Sequence, residues 1–197
     1  MISPMSRPIP IEIIPSHIHL SEDDHRMLFG SGFVGTVERQ LSQRGQFVYR
    51  ETVEVSGRLK RLLRLRVLGP HRRQTQIELT PSEAAMLGIA AGEARSGDLS
   101  AAASCTLTGP HGQVAVKAGV IIPRPHLHLS DVEAKGFRLK NGDQVDLELL
   151  GDAPQTLERV IVRVHPTYSL RLHVHPDLAR EGWYVGNLHA RLRESKV

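Results

Sequence analysis

The chain has 197 residues, 40% hydrophobic and 23% charged, with a net charge of +4, enough apolar material for one large core or two small ones and too much for a disordered polymer. No run approaches the roughly 20 apolar residues of a membrane helix, and Met1–Pro10 lacks the basic start and apolar stretch of a signal peptide. The one cysteine, Cys105, excludes an intrachain disulfide and points to a reducing, cytoplasmic setting.

Along the chain, Ile13-Ile14-Pro15-Ser16 leads into His17-Ile18-His19-Leu20-Ser21. Ser21, followed by Glu22, Asp23 and Asp24, is an expected helix N-cap, with Gly30 closing that helix. Phe47–Val55, Arg61–Leu68 and Gln74–Leu79 alternate polar with apolar residues and predict strands. Thr80-Pro81-Ser82-Glu83 predicts a second short helix, with Pro81 preset at its first position and Gly88 at its end. Gly109-Pro110 marks a turn before a strand at Gln113–Lys117. Ile121-Ile122-Pro123 then returns, followed by His126-Leu127-His128-Leu129-Ser130. Ser130 with Glu133 fits a capping box, and Gly136 is the expected stop. Asn141-Gly142 is a hairpin-turn signal, and strands are expected at Gln144–Leu149, Arg159–Val164 and Leu170–His175. Arg191–Val197 reads as a charged, frayed tail.

The two Ile-Ile-Pro…His-x-His-Leu-Ser stretches, each followed by acidic residues, are read as a duplicated unit. Many short strands, brief capped helices and no strand–helix–strand rhythm predict a mainly β chain. The expected fold is two small β-barrel domains capped by short α-helices and related by the internal repeat.

On a strand, residues i and i+2 point the same way, about 6.6 Å apart. His17 with His19, and His126 with His128, can therefore each aim two imidazoles at one point, which suits a divalent metal such as zinc. One such pair would read as two surface histidines, and two in matching contexts favour a metal. Either His173 or His175 could complete a site. With no cysteine cluster, a structural zinc finger is excluded, and histidine with carboxylate is the catalytic pattern instead. Glu78 is the carboxylate candidate, expected to share one strand face with Arg72, Gln74 and Gln76. Beside a metal that row would be a phosphate clamp. A sequence pI near 9.6 fits an anionic partner. Nucleic acid is disfavoured because Phe47, Tyr49 and Trp183 are too scattered to stack bases.

The segments Pro10–Gly30, Leu41–Phe47, Arg66–Pro70, Arg73–Glu78, Ser96–Leu99, Gly119–Ser130 and Lys140–Val145 resemble the propanediol-utilisation type of phosphate acyltransferases, in the family's order and spacing. The resemblance implies a two-barrel fold with a dinuclear zinc site that interconverts acyl-CoA plus phosphate with acyl phosphate plus CoA. It implies one zinc on His17, His19 and Glu78, and a second on His126, His128 and His173, favouring His173 over His175. Arg72 matches the phosphate-contacting arginine, and Gln43, Gln76, Ser96 and Arg163 match polar positions of the coenzyme A pocket. Ser16, Ala94 and Pro125 stand where the family usually has arginine. The implied layout is swapped, with residues 6–15 and 124–193 in one barrel, 16–123 in the other and 194–197 as a tail.

The expected function is therefore zinc-dependent transfer of a propanoyl or acetyl group by direct attack of phosphate on the thioester. A zinc-dependent hydrolase of an ester or phosphate is the alternative. Expected partners are acyl-CoA and phosphate, without nucleic acid or membrane, and a homodimer is the oligomer allowed. Met1–Pro8 is too short and proline-rich for a targeting helix, so the expected location is the cytoplasm rather than the lumen of a bacterial microcompartment.

Overall fold

The computed structural model describes residues 7–150, 155–178 and 188–193. The chain opens with β1 (Ile9–Ile13), β2 (His17–Ser21) and α1 (Glu22–Phe29). Next come β3 (Val37–Gln40), β4 (Phe47–Ser56), β5 (Leu62–Arg72), β6 (Gln76–Glu78) and α2 (Pro81–Leu87). β7 (Glu93–Ala94), β8 (Ala103–Thr108), β9 (Gln113–Pro123), β10 (His126–Leu129) and α3 (Asp131–Phe137) follow. The last elements are β11 (Gln144–Leu150), β12 (Gln155–Val164), β13 (Arg171–Val174), a 3-10 turn at Pro176–Leu178 and β14 (His189–Leu192).

These elements form two compact units, Met1–Ile14 with Pro125–Val197, and Pro15–Arg124. The first is a closed barrel in the order β1-β13-β10-β12-β11-β14. In the second, β9-β6-β2-β5-β4-β8 returns to β9, with β3 attached to β4 and β7 to β9. Matched strand by strand, the two rings have the same pairings: parallel, antiparallel, parallel, then three antiparallel. β1 therefore corresponds to β9, β13 to β6 and β10 to β2. Each repeat contributes its first strand to the ring built by the other repeat. The repeat seen in the sequence is thus a repeat of topology.

Each barrel encloses its own apolar core. Ile18, Leu20, Val55, Ile77, Leu87, Leu107 and Val120 are buried in the Pro15–Arg124 unit, and Ile9, Leu127, Leu129, Leu147, Val162 and Leu172 in the other. Alternation explains the strand members of both sets, since the residues between them point away from the barrel interior, and Leu87 is added from α2. The helices are short because capping, rather than length, supports them. Ser21 accepts from the Asp24 amide, and Thr80/Glu83 and Ser130/Glu133 form full capping boxes.

Four local expectations are corrected. Helix α3 runs through Gly136 to Phe137, whose ring is buried, and Arg138 makes the left-handed cap. Asn141-Gly142 joins α3 to β11 rather than two strands, and the Asn141 side-chain oxygen accepts from the Val164 amide at 3.1 Å. The expected strand from Gln74 to Leu79 shortens to β6, because the Thr75 hydroxyl turns inward. It accepts from the Ser21 amide at 2.8 Å and donates to Asp24 at 2.5 Å, bending the chain between β5 and β6. Arg191 and Leu192 belong to β14, with Arg191 donating to Glu148 at 2.6 Å, so these two are not part of a frayed tail. Residues 194–197, Trp183 and Met1–Ser6 lie outside the described residues.

Candidate metal centres

Both His-x-His segments lie on strands flanked by one parallel and one antiparallel neighbour. On β2, His17 is opposite Glu78 and His19 opposite Gln76 across the antiparallel ladder to β6. On β10, His126 is opposite His173 and His128 opposite Arg171 across the antiparallel ladder to β13. Directly opposed residues project from the same face, so each first histidine meets a donor from the next strand. The donor atoms of His17, His19 and Glu78 all lie within 4.8 Å of one another, as do those of His126, His128 and His173. His175, beyond the end of β13, belongs to neither group.

In the Glu78 group all three side chains are buried. His17 Nδ1 donates to the Pro15 carbonyl at 2.9 Å, which fixes the proton there. Its other ring nitrogen, Nε2, lies 3.6 Å from Glu78 Oε2. The other carboxylate oxygen is clamped: Oε1 accepts from Gln76 Nε2 at 2.6 Å and from Ser96 Oγ at 2.7 Å. The Gly97 amide donates to Gln76 Oε1 at 2.9 Å and so sets the orientation of that amide. Gly97 has φ +96°, a conformation that favours glycine at this turn. Arg72, at the end of β5, donates to Ser96 Oγ at 3.4 Å. It therefore approaches Glu78 through Ser96, not along a shared strand face, which corrects the expected row from 72 to 78.

In the other group the rings of His128 and His173 are 4.3 Å apart, and those of His126 and His173 5.1 Å. Tyr168 stacks on His128 with centroids 3.8 Å apart and planes at 12°. Arg163 lies opposite His128 on β12, its guanidinium 6.0 Å from the Tyr168 ring. Glu12 on β1 is opposite His173, with Oε2 3.4 Å from His173 Nε2. The sequence reading missed Tyr168, which precedes its strand in a loop, and Glu12, whose partner His173 lies far along the chain. The one charged residue among Ile9–Ile13 was the signal available for Glu12. Gln43 lies in the turn before β4, where its carbonyl accepts from the Gln46 amide at 3.1 Å, and is not among the residues of these networks.

The donors have the chemistry of metal ligands. Burial, then His17 and Arg72, pushes His19 down to about 2 against the opposing pull of the Leu68 carbonyl. Burial, then His173, His126 and Arg163, pushes His128 down to about 2. Both rings are thus neutral lone-pair donors at ordinary pH. His19 Nδ1 and His128 Nε2 are buried without a hydrogen-bond partner, an arrangement that costs free energy unless a ligand satisfies them. Three nitrogen or oxygen donors fit zinc and leave a coordination position open, as reactive rather than structural sites do. Cys105 is a poor nucleophile, since burial pushes its thiol up to about 12.

Known proteins share this chain's sequence over most of its length. A profile of the phosphate propanoyltransferase family matches residues 10–181. A phosphate propanoyltransferase of Priestia megaterium is 38% identical over 177 residues, covering 90% of this chain and 82% of the relative. Those of Alkaliphilus metalliredigens and Clostridioides difficile are 34% and 31% identical, covering 86% and 93% of this chain and 80% and 88% of the relatives.

Proposed function

Given that the chain belongs to the phosphate propanoyltransferase family and is thereby a phosphate acyltransferase, we propose that it moves a propanoyl or acetyl group between coenzyme A and phosphate with zinc held at both histidine groups. His17, His19 and Glu78 would hold one ion, and His126, His128 and His173 the other. The observation that supports this most directly is the pair of buried, unpartnered imidazole nitrogens on equivalent strands, each beside two further donors.

In the forward direction a phosphate oxygen bonds to the thioester carbonyl carbon. The carbon–sulfur bond breaks and its electron pair leaves on the sulfur of CoA. Zinc, when bound, supplies positive charge that stabilises a thiolate and screens phosphate oxygens. Arg72 supplies the fork for phosphate, since a guanidinium pairs bidentately with two oxygens while Ser96 anchors one of its arms. Orientation then does much of the remaining work, because phosphate is itself the nucleophile. Arg163 is a further cationic group for the anionic substrate, while Gln76 acts through Glu78, to which its amide donates.

Thiol release from propanoyl-CoA and acetyl-CoA, followed with Ellman's reagent, tests the reading. Release should require phosphate, stop on chelation and return with zinc. Release independent of phosphate would identify a hydrolase. Full activity in protein shown to be metal-free would overturn the zinc assignment.

A further inference from the structure

The two barrels share a layout but place their carboxylates differently. In the Pro15–Arg124 unit, the residue opposite His17 on the antiparallel neighbour is Glu78, itself a candidate ligand, and the next strand places Ile121 beside it. In the other unit, the residue opposite His126 is His173, and the next strand, β1, places Glu12 beside it. Each site thus has one carboxylate, moved one strand outward in the second. Glu12 Oε2 lies 3.4 Å from His173 Nε2 and 3.6 Å from Arg171 Nε. Glu12 is not among the donors that converge with His126 and His128.

We propose that Glu12 is a positioning residue, accepting a hydrogen bond from His173 Nε2–H and so orienting that imidazole toward the metal. This rests on the zinc reading above. A histidine ligand has one nitrogen for the ion and one N–H to place, and a carboxylate acceptor for that N–H fixes both the tautomer and the ring plane while raising the ring's basicity. Arg171, two residues before His173 on β13, brings its positive charge to the same carboxylate oxygen, with Nε 3.6 Å from Glu12 Oε2. The N-terminal strand thereby serves a histidine on a strand far along the chain, which explains why a charged residue stands in an otherwise apolar β1. Glu12 and His173 are partly accessible, so the pair is not a buried core element whose loss must unfold the barrel.

Zinc affinity of the full chain, measured by competition with a chromogenic chelator, tests the proposal. Wild type should bind two ions. Glu12→Ala should weaken one of them by about 10- to 100-fold and leave the other unchanged. Glu12→Gln keeps a neutral acceptor and should recover most of the loss. The visible spectrum of the cobalt-substituted protein should change for Glu12→Ala alone, and thermal unfolding in excess chelator should be the same for all three proteins. Wild-type affinity at both sites in Glu12→Ala overturns the proposal. So does a loss in Glu12→Gln as large as in Glu12→Ala, or a lowered melting temperature in chelator with both sites weakened alike. Wild type that binds fewer than two ions overturns the zinc reading, and the positioning role falls with it.

Discussion

At the scale of single residues, Glu78 is fixed by its surroundings. Two donors hold Oε1, from Gln76 and Ser96, while Oε2 faces His17. Removing the Ser96 hydroxyl leaves one clamp donor and a less defined carboxylate. Ser96→Ala should therefore cost about 1–2 kcal/mol of zinc affinity at the Glu78 site, or roughly 5- to 30-fold by chelator competition, with little change in folding. Arg72 donates to the same serine without being one of the three converging donors. Arg72→Ala should lower the phosphate-dependent rate by about 2–4 kcal/mol, on the order of 30- to 1000-fold, with zinc content unchanged. Arg72→Lys should recover only part of the rate, because an ammonium lacks the fork. Arg73, exposed in the bend after β5, is the control, and Arg73→Ala should leave phosphate kinetics as they are.

At the scale of elements, each strand that carries a His-x-His pair runs into a capped helix of only two turns or so. In α3, Glu133 is pushed up by burial, but hydrogen bonds from Ser130 and the Leu170 amide, with the Arg7 charge, together outweigh this and hold its carboxyl below the ordinary value of 4.5. A carboxylate held low contributes stability above its unfolded pKa and loses it as pH falls through the folded one. The capping contribution should therefore be full at neutral pH and fade below about pH 4.5. Denaturant melts at pH 7 and pH 3 should show Glu133→Gln destabilising the protein more at pH 7 than at pH 3. Ser130→Ala should cost about 0.5–2 kcal/mol at neutral pH, because α3 is too short to persist without its cap. A shared cost at both pH values would show that the carboxylate's charge is not what the cap uses.

At the scale of the whole molecule, two rings with identical pairing patterns each carry three donors on corresponding strands. Each unit also has a separate core, so losing one metal group should leave the other intact. His126→Ala and His17→Ala should each reduce zinc from two ions to one without global unfolding, read by metal analysis and circular dichroism. A ligand that binds only the folded state stabilises it by about 4 kcal/mol at a thousandfold excess over its Kd. Zinc should accordingly raise the melting temperature of wild type more than that of either variant. Equal shifts in all three would mean that the ion binds elsewhere.

The duplication, the caps and the two His-x-His pairs were legible because each is written locally. An i, i+2 histidine pair on a strand shares a face wherever the strand goes, and Ser-x-x-Glu caps a helix whatever it packs against. The choice between His173 and His175 was open on spacing alone, since both lie on the same side of one short segment. Cross-strand register decided it, placing His173 opposite His126. Arg72 was misjudged for a related reason: alternation assumes an unbroken strand, and the Thr75 hydroxyl bends the chain before Gln76. Glu12, Tyr168 and the Ser96 clamp carry no local pattern, because their partners come from strands and loops distant in sequence. Sequence by itself determined which side chains could ligate and which segments would turn, cap or alternate. Only the closing of each ring, with its long-range parallel and antiparallel ladders, decided which of those side chains meet.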